Sequence, residues 1–287
     1  VEVPLGPRKV VGVVWGPGAG DFDAAKLRSV IRVLDLAPMR AEMRSFLERA
    51  AQYTLTPMSM MLRLATRAPG LADPPSMRKV LRRGDGEPDR MTDARAKVLD
   101  VMDEYEGAAF TASELSGLAG VTTSVVKGLV KQGAIREEEA PRDLPFPPLD
   151  PELPGKTLSE DQATAAAALE AGVKGGRYGT TLLKGVTGSG KTEVYLEAVA
   201  ACLRKGRQAL VLLPEIALTA EFLKRVEARF GAVPAEWHSG VTMTERRRVW
   251  RMVGQGAAQL VIGARSSLYL PFRDLGLIIV DEEHDTS

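Results

Sequence analysis

The octapeptide Gly185-Val186-Thr187-Gly188-Ser189-Gly190-Lys191-Thr192 fits the pattern G-x-x-x-x-G-K-[ST] in full. Residues of these types at this spacing suit one kind of chemistry. Glycines let successive backbone N–H groups curl around phosphate oxygens, and a helix opening at the end of the loop adds its positive pole. Lys191 is then placed to reach the β and γ phosphates, and the Thr192 hydroxyl to coordinate Mg²⁺. A Gly-rich turn without function is the bland alternative, and a carboxylate partner further along the chain argues against it. Asp281-Glu282-Glu283-His284 supplies that partner directly after an apolar run at 277–280. Asp281 fits the Mg²⁺ shell beside Thr192, and Glu282 is the candidate base or orienter of an attacking water. Alone, these four residues would be a solvated turn. Paired with the loop at the C-terminal edge of one sheet, they complete a nucleotide site.

Such a site needs a parallel sheet beneath it. From residue 157 onward the sequence alternates strand-like and helix-like runs, with buried strands expected at 180–183, 209–213, 259–262 and 276–280. That alternation implies parallel strands with helices on both faces. Three segments are expected: 1–75, 76–150 and 151–287. In the first, 10–14 reads as a strand between Gly6-Pro7 and Gly16-Pro17 turns, and 39–66 as helix with Met43, Phe46, Leu47 and Ala50 on one face. Gly16, Gly18 and Gly20 only superficially resemble a phosphate loop, because Pro17 intervenes and no apolar helix follows. Residues 73–90 have linker composition. Residues 91–139 read as a winged helix: one helix through Val98, Leu99 and Met102, a second from Thr111 with Glu114 as a capping box, a third through Val125, Val126, Leu129 and Val130 to Gly133, and a wing strand at 134–139. The proline-rich run 140–155 reads as a stiff, extended linker.

Composition bounds the rest. The chain has 287 residues, 45% of them apolar and 26% charged, which is ordinary for a globular protein. No run of about 18 apolar residues is present and the N-terminus has no signal-peptide pattern. A single cysteine excludes an internal disulfide and a cysteine-based zinc site in this chain, and fits a cytoplasmic setting. Net charge is +1, but unevenly distributed: residues 1–83 hold 14 Lys/Arg against 7 Asp/Glu, and residues 84–149 hold 7 against 13. A basic front end would attract phosphate backbones, whereas the acidic winged helix favours a structural or protein-contact role over base readout.

The D-E-x-H form of residues 281–284 resembles superfamily 2 helicases. Together with KGVTGSGKTEVYL at 184–196, LLPEIAL at 212–218, His238-Ser239-Gly240, GARSSLYLPF at 263–272 and VPLGPRKVVGVV at 3–14, it resembles more narrowly the PriA family of primosomal replication-restart helicases. The resemblance implies an α/β, RecA-like P-loop helicase lobe, preceded by a winged-helix domain and a small, mostly β N-terminal DNA-binding domain. It implies an ATP-dependent 3′-to-5′ DNA helicase using ATP and Mg²⁺. Such a helicase recognises stalled forks, nascent 3′ ends and single strands, and works with primosome, helicase-loader and single-stranded DNA-binding proteins. It further implies a cytoplasmic, nucleoid-associated monomer. The sequence is expected to be the front part of that machine, with the second lobe, its arginine finger and the Zn²⁺ cysteines lying further on.

By the same resemblance, Gly6 and Arg28 match the 3′-end pocket. Pro214, Glu215 and Thr219 match the first DNA-tracking motif, and Arg265 and Ser266 offer a further stretch of single-strand track. A plain strand-to-helix turn is the alternative for these. Gln162 stands where related helicases read adenine, although with Ser159 it also makes a capping box. His284 is expected to link the nucleotide site to the DNA side. His238 reads as a turn residue, Cys202 as packed on the helix after the P-loop, and Arg246-Arg247-Arg248 as a solvated helix face. A scaffold that binds forks without hydrolysis, and another superfamily 2 motor, are the rival readings.

Overall fold

The computed structural model describes residues 1–18, 20, 23–66, 70, 76–105, 107–186, 188–214 and 217–282. The chain divides into two compact units, one formed by Val1–Pro74 with Pro145–Ser287 and the other by Pro75–Leu144.

The second unit is a winged helix. Strand β3 (Met77–Arg83) pairs antiparallel with β4 (Ile135–Pro141), and three helices lie between them: α3 (Asp93–Glu104), α4 (Ala112–Leu118) and α5 (Thr123–Lys131). Val98, Leu99, Leu115, Val126, Leu129 and Ile135 close a buried core. The expected capping box is present: Glu114 N–H donates to Thr111 Oγ1 at 3.2 Å, and Thr111 N–H donates to Glu114 Oε2 at 2.7 Å. Residues 77–83 depart from the linker expectation for 73–90. Their strand is secured by a partner some fifty residues away, which no local pattern announces. Arg78, Lys79, Arg82 and Arg83, counted above with the basic front end, all sit on this strand. Lys79 and Arg82 meet Glu137 and Glu138 at 2.6 and 3.1 Å. Part of the charge asymmetry is therefore neutralised within one ladder.

The larger unit carries the parallel sheet. Its order is β6 (Ala235–Trp237), β7 (Leu260–Gly263), β5 (Gln208–Leu212), β8 (Leu275–Val280). Helices α6 (Glu160–Gly175), α7 (Lys191–Arg204), α8 (Ala220–Phe230) and α9 (Met243–Gln255) complete the layers. Alternation along β5 sends Ala209 and Val211 into one core with Leu196, Val199 and Phe230. It sends Leu210 and Leu212 into another with Val249 and Val253. The chain is thus an α/β protein with a RecA-like lobe accompanied by smaller domains. Strands expected at 209–213, 259–262 and 276–280 appear as β5, β7 and β8, while the three-residue β6 was too short to read.

The strand expected at 180–183 is absent. Residues 178–186 are irregular, and Leu182 is 65% exposed. Four residues form a strand only against a ladder partner, and no described strand pairs with them. The proline-rich run, expected as a stiff, extended linker, is packed along part of its length. Leu149 is buried and its N–H donates to Gln259 Oε1 at 2.7 Å, while Arg229 Nη1 donates to the Leu153 carbonyl at 2.7 Å.

At the front, β1 (Glu2–Leu5) and β2 (Arg8–Val11) form a hairpin through Gly6-Pro7, so the strand expected at 10–14 begins and ends earlier. The helical stretch 39–66 divides into α1 (Ala41–Thr54) and α2 (Met58–Ala65), broken where Leu55 adopts a left-handed φ of 52°. Leu47, Met61 and Ala65 form a small core. It is continuous with the sheet layer: Phe46 packs on Tyr269 with ring centroids 5.5 Å apart, and Trp250 Nε1 donates to the Ala65 carbonyl at 3.0 Å.

Candidate nucleotide site

The P-loop is built by its glycines and by the helix it opens. Gly188 and Gly190 have φ of 78° and 77°, a conformation that side chains resist. At Gly190 a Cβ would also stand 2.5 Å from Gln162 Nε2. Lys191 is the first residue of α7, as expected of a loop that opens a helix. Its ammonium donates to the carbonyls of Gly185 and Val186 at 2.9 and 3.2 Å, so the cation lies folded into the loop. Ser189 Oγ is buried with no hydrogen-bond partner among the described residues, an orphaned polar atom inside the loop. Thr187 lies outside the described residues.

Gln162 realises the capping box with Ser159: its Oε1 accepts from Ser159 N–H at 2.9 Å and its N–H donates to Ser159 Oγ at 3.4 Å. Its amide Nε2 also donates to the Ser189 carbonyl at 2.8 Å. The side chain therefore ties the start of α6 to the P-loop, leaving one amide hydrogen and one oxygen lone pair beyond these bonds.

Asp281 follows β8 at the C-terminal edge of the sheet, where its N–H donates to the Leu212 carbonyl at 3.0 Å. Both carboxylate oxygens are held. Oδ1 accepts from Glu282 N–H at 3.0 Å, and Oδ2 accepts from the Tyr195 hydroxyl at 2.9 Å. Glu282 has a left-handed φ of 50°, the kind of local strain that concentrates at working sites. Burial first, and the negative charge of Asp281 second, push the Tyr195 hydroxyl well above the ordinary tyrosine range, so it remains a donor. Tyr195 was not singled out from the sequence. The signal available was its place on α7 three residues after Thr192, one turn along the same side of the helix. His284 lies outside the described residues.

Of the other expected site residues described, those after β5 and β7 share one sheet edge, where Leu212 pairs with Gly263, and the rest lie at the front of the chain. Thr219 Oγ1 caps α8, accepting from Phe222 N–H at 3.2 Å, and Pro214 lies at the end of β5. Glu215 lies outside the described residues. Arg265 and Ser266 are exposed on a 3₁₀ turn after β7, with Ser266 Oγ accepting from Trp237 Nε1 at 3.2 Å. Gly6, with φ of 60°, sits in the first hairpin turn, and Arg28 is exposed in the irregular segment that follows. Arg246 and Arg248 are half-buried rather than fully solvated: Arg246 lies 5.2 Å from the Trp237 ring centre and Arg248 4.1 Å from that of Phe146. His238 is a turn residue, its Nδ1 accepting from Gly240 N–H at 3.2 Å. Cys202 is buried on α7, and burial pushes its thiol up to about 11. No group of three or more potential metal-ligating His, Cys, Asp or Glu residues clusters among the described residues. No described helix is long and apolar enough to cross a membrane.

Residues 159–287 match the model of the DEAD/DEAH box helicase family, and residues 1–67 match the 3′ DNA-binding domain model associated with PriA. The chain is 37% identical over 193 residues to the replication restart protein PriA of Bacillus subtilis, covering 65% of this chain and 24% of that protein. It is 39% identical over 201 residues to PriA of Synechocystis, covering 69% and 24% of the two. With PriA of Rickettsia conorii it shares 49% identity over 130 residues, 45% and 19%. The matches thus span about a quarter or less of these relatives' own length.

Proposed function

We propose that the chain belongs to the PriA family of replication-restart proteins, to which its matched segments are similar, and that its sheet unit binds Mg²⁺-ATP and its front segment holds DNA. It would be the DNA-binding and first ATPase part of a 3′-to-5′ helicase that restarts stalled forks by primosome assembly. The observation that carries this reading is the Tyr195–Asp281 hydrogen bond, which draws the helix opened by the P-loop onto the carboxylate after β8. The residues present suit the ligand. The orphaned Ser189 hydroxyl lies inside the loop, Lys191 stands on loop carbonyls it can leave, and Asp281 is already oriented.

In this reading Thr192 and Asp281 hold Mg²⁺, which when bound spreads the negative charge of the phosphates. Lys191 transfers its hydrogen bonds to phosphate oxygens, Gly185, Val186, Thr187, Gly188, Ser189 and Gly190 wrap them, and Glu282 orients the attacking water. Gln162 offers its remaining donor and acceptor to adenine. Gly6 and Arg28 contribute to the 3′-end pocket, Pro214, Glu215, Thr219, Arg265 and Ser266 follow a single strand, and His284 joins the two functions. The partners are stalled forks, primosome and loader proteins and single-stranded DNA-binding protein; the setting is cytoplasmic, and Zn²⁺ belongs to segments beyond this chain.

Lys191→Ala tests the reading. Removing hydrogen bonds from a charged donor should weaken binding of a fluorescent ATP analogue about ten- to a hundredfold, with unchanged circular dichroism. Equal affinity in the two chains would overturn the assignment of the P-loop.

A further inference from the structure

Of the polar side chains around the P-loop, one is buried, is bonded to a proposed Mg²⁺ ligand and is given no contact with nucleotide or metal in the reading above. Tyr195 is 3% exposed, yet its hydroxyl donates to Asp281 Oδ2 at 2.9 Å. Thr192 stands one helical turn earlier on the same side of α7. A buried tyrosine hydroxyl without a partner carries a desolvation penalty, so its partner fixes where it points. Here the partner is the carboxylate that would hold the metal, 86 positions further along the chain. The remaining oxygen of Asp281 is fixed from the other side by Glu282 N–H at 3.0 Å. The carboxylate is thus locked in orientation by the protein itself.

We propose that Tyr195 is a positioning residue for Mg²⁺: its hydroxyl fixes the Asp281 carboxylate against the helix that carries Thr192, so that the metal meets a prearranged oxygen. The inference rests on the nucleotide-binding reading above. Outer partners that orient metal ligands commonly change metal affinity by about 10–100-fold when removed. A tyrosine that only fills core volume would not distinguish metal-bound from metal-free nucleotide.

Tyr195→Phe keeps the ring and deletes the hydroxyl. Binding of a fluorescent ATP analogue to the full 287-residue chain is measured across a Mg²⁺ titration and in EDTA. The Mg²⁺ concentration for half-maximal tightening should rise about 10–100-fold, while affinity in EDTA stays within a factor of about two of the wild-type chain. Tyr195→Phe placed on an Asp281→Asn background should add nothing further, because the hydroxyl acts through that carboxylate. An unchanged Mg²⁺ midpoint, or equal losses with and without Mg²⁺, would overturn the proposal. If the wild-type chain itself binds no nucleotide, or Lys191→Ala binds as well as wild type, it is the function that fails. Should Tyr195→Phe fail to fold, the wild-type chain labelled with 3-fluorotyrosine takes its place. Mg²⁺ added to the nucleotide complex must then shift a fluorine resonance that Asp281→Asn also shifts, and absence of such a resonance overturns the proposal.

Discussion

The winged-helix unit and the sheet unit differ in where most of their paired polar groups lie. In the winged helix, the paired charged side chains lie toward the surface and meet close neighbours or a facing strand: Lys79 with Glu137, Arg82 and Arg136 with Glu138, Arg83 with Asp103. Beneath them is a core of aliphatic and aromatic side chains. In the sheet unit, several polar side chains go inside and are held by hydrogen bonds there. Gln208 is 3% exposed, with its amide nitrogen donating to the carbonyls of Val253 and Ala258 and its oxygen accepting from the N–H groups of Arg273 and Asp274. Arg229 is buried against Glu197 through two bonds of 2.8 and 3.0 Å. Tyr195 belongs to the same pattern. Buried polar groups cost stability unless satisfied, but once satisfied they allow one arrangement only. A unit that must hold a carboxylate and a P-loop in register gains from that restriction. A unit that only folds and presents a surface does not need it.

Three substitutions sharpen this contrast. Glu197→Ala strands the guanidinium of Arg229 in the interior, and unfolding measured by urea should lose about 3–5 kcal/mol. A much smaller loss would mean that the buried pair is not what joins α7 to α8. Thr111→Ala removes one half of a capping box in the winged helix, and should cost about 1 kcal/mol in the unfolding transition of that unit. If the cost equals that of Glu197→Ala, the two units do not differ as described. Lys79→Ala breaks an exposed ion pair across β3 and β4, and no measurable shift in the urea midpoint is expected. A clear destabilisation would show that the ladder relies on its surface charges.

The two units also differ in how far they could be read in advance. The helices of the winged helix were legible because their signals are local. Thr111 and Glu114 lie three residues apart, and Gly133 stops α5 where its φ of 76° favours glycine. Strand β3 was not legible, since its partner comes some fifty residues later and the basic residues along it resemble linker. In the sheet unit, the apolar runs of β5, β7 and β8 announced themselves, while 180–183 had the composition of a strand and lacks a ladder partner in the structure. The arginines at 246 and 248 looked solvated in sequence. Their turn toward Trp237 and Phe146 depends on aromatic rings contributed by other elements.

What the sequence determined by itself is the chemistry on offer. The glycine spacing of the P-loop, Lys191 and Thr192 at the start of a helix, and an acidic pair after an apolar strand all follow from short-range pattern. Such patterns are constrained by backbone geometry over a few residues. What only the tertiary structure decided is which of these groups meet and who holds them. The bond from Tyr195 to Asp281, the tie from Gln162 to Ser189 and the inward folding of Lys191 each join atoms whose separation depends on how the chain packs. Hydrogen bonds are satisfied over about three ångströms whatever the distance along the sequence, so the side chain that orients a ligand can be invisible until the fold brings it there.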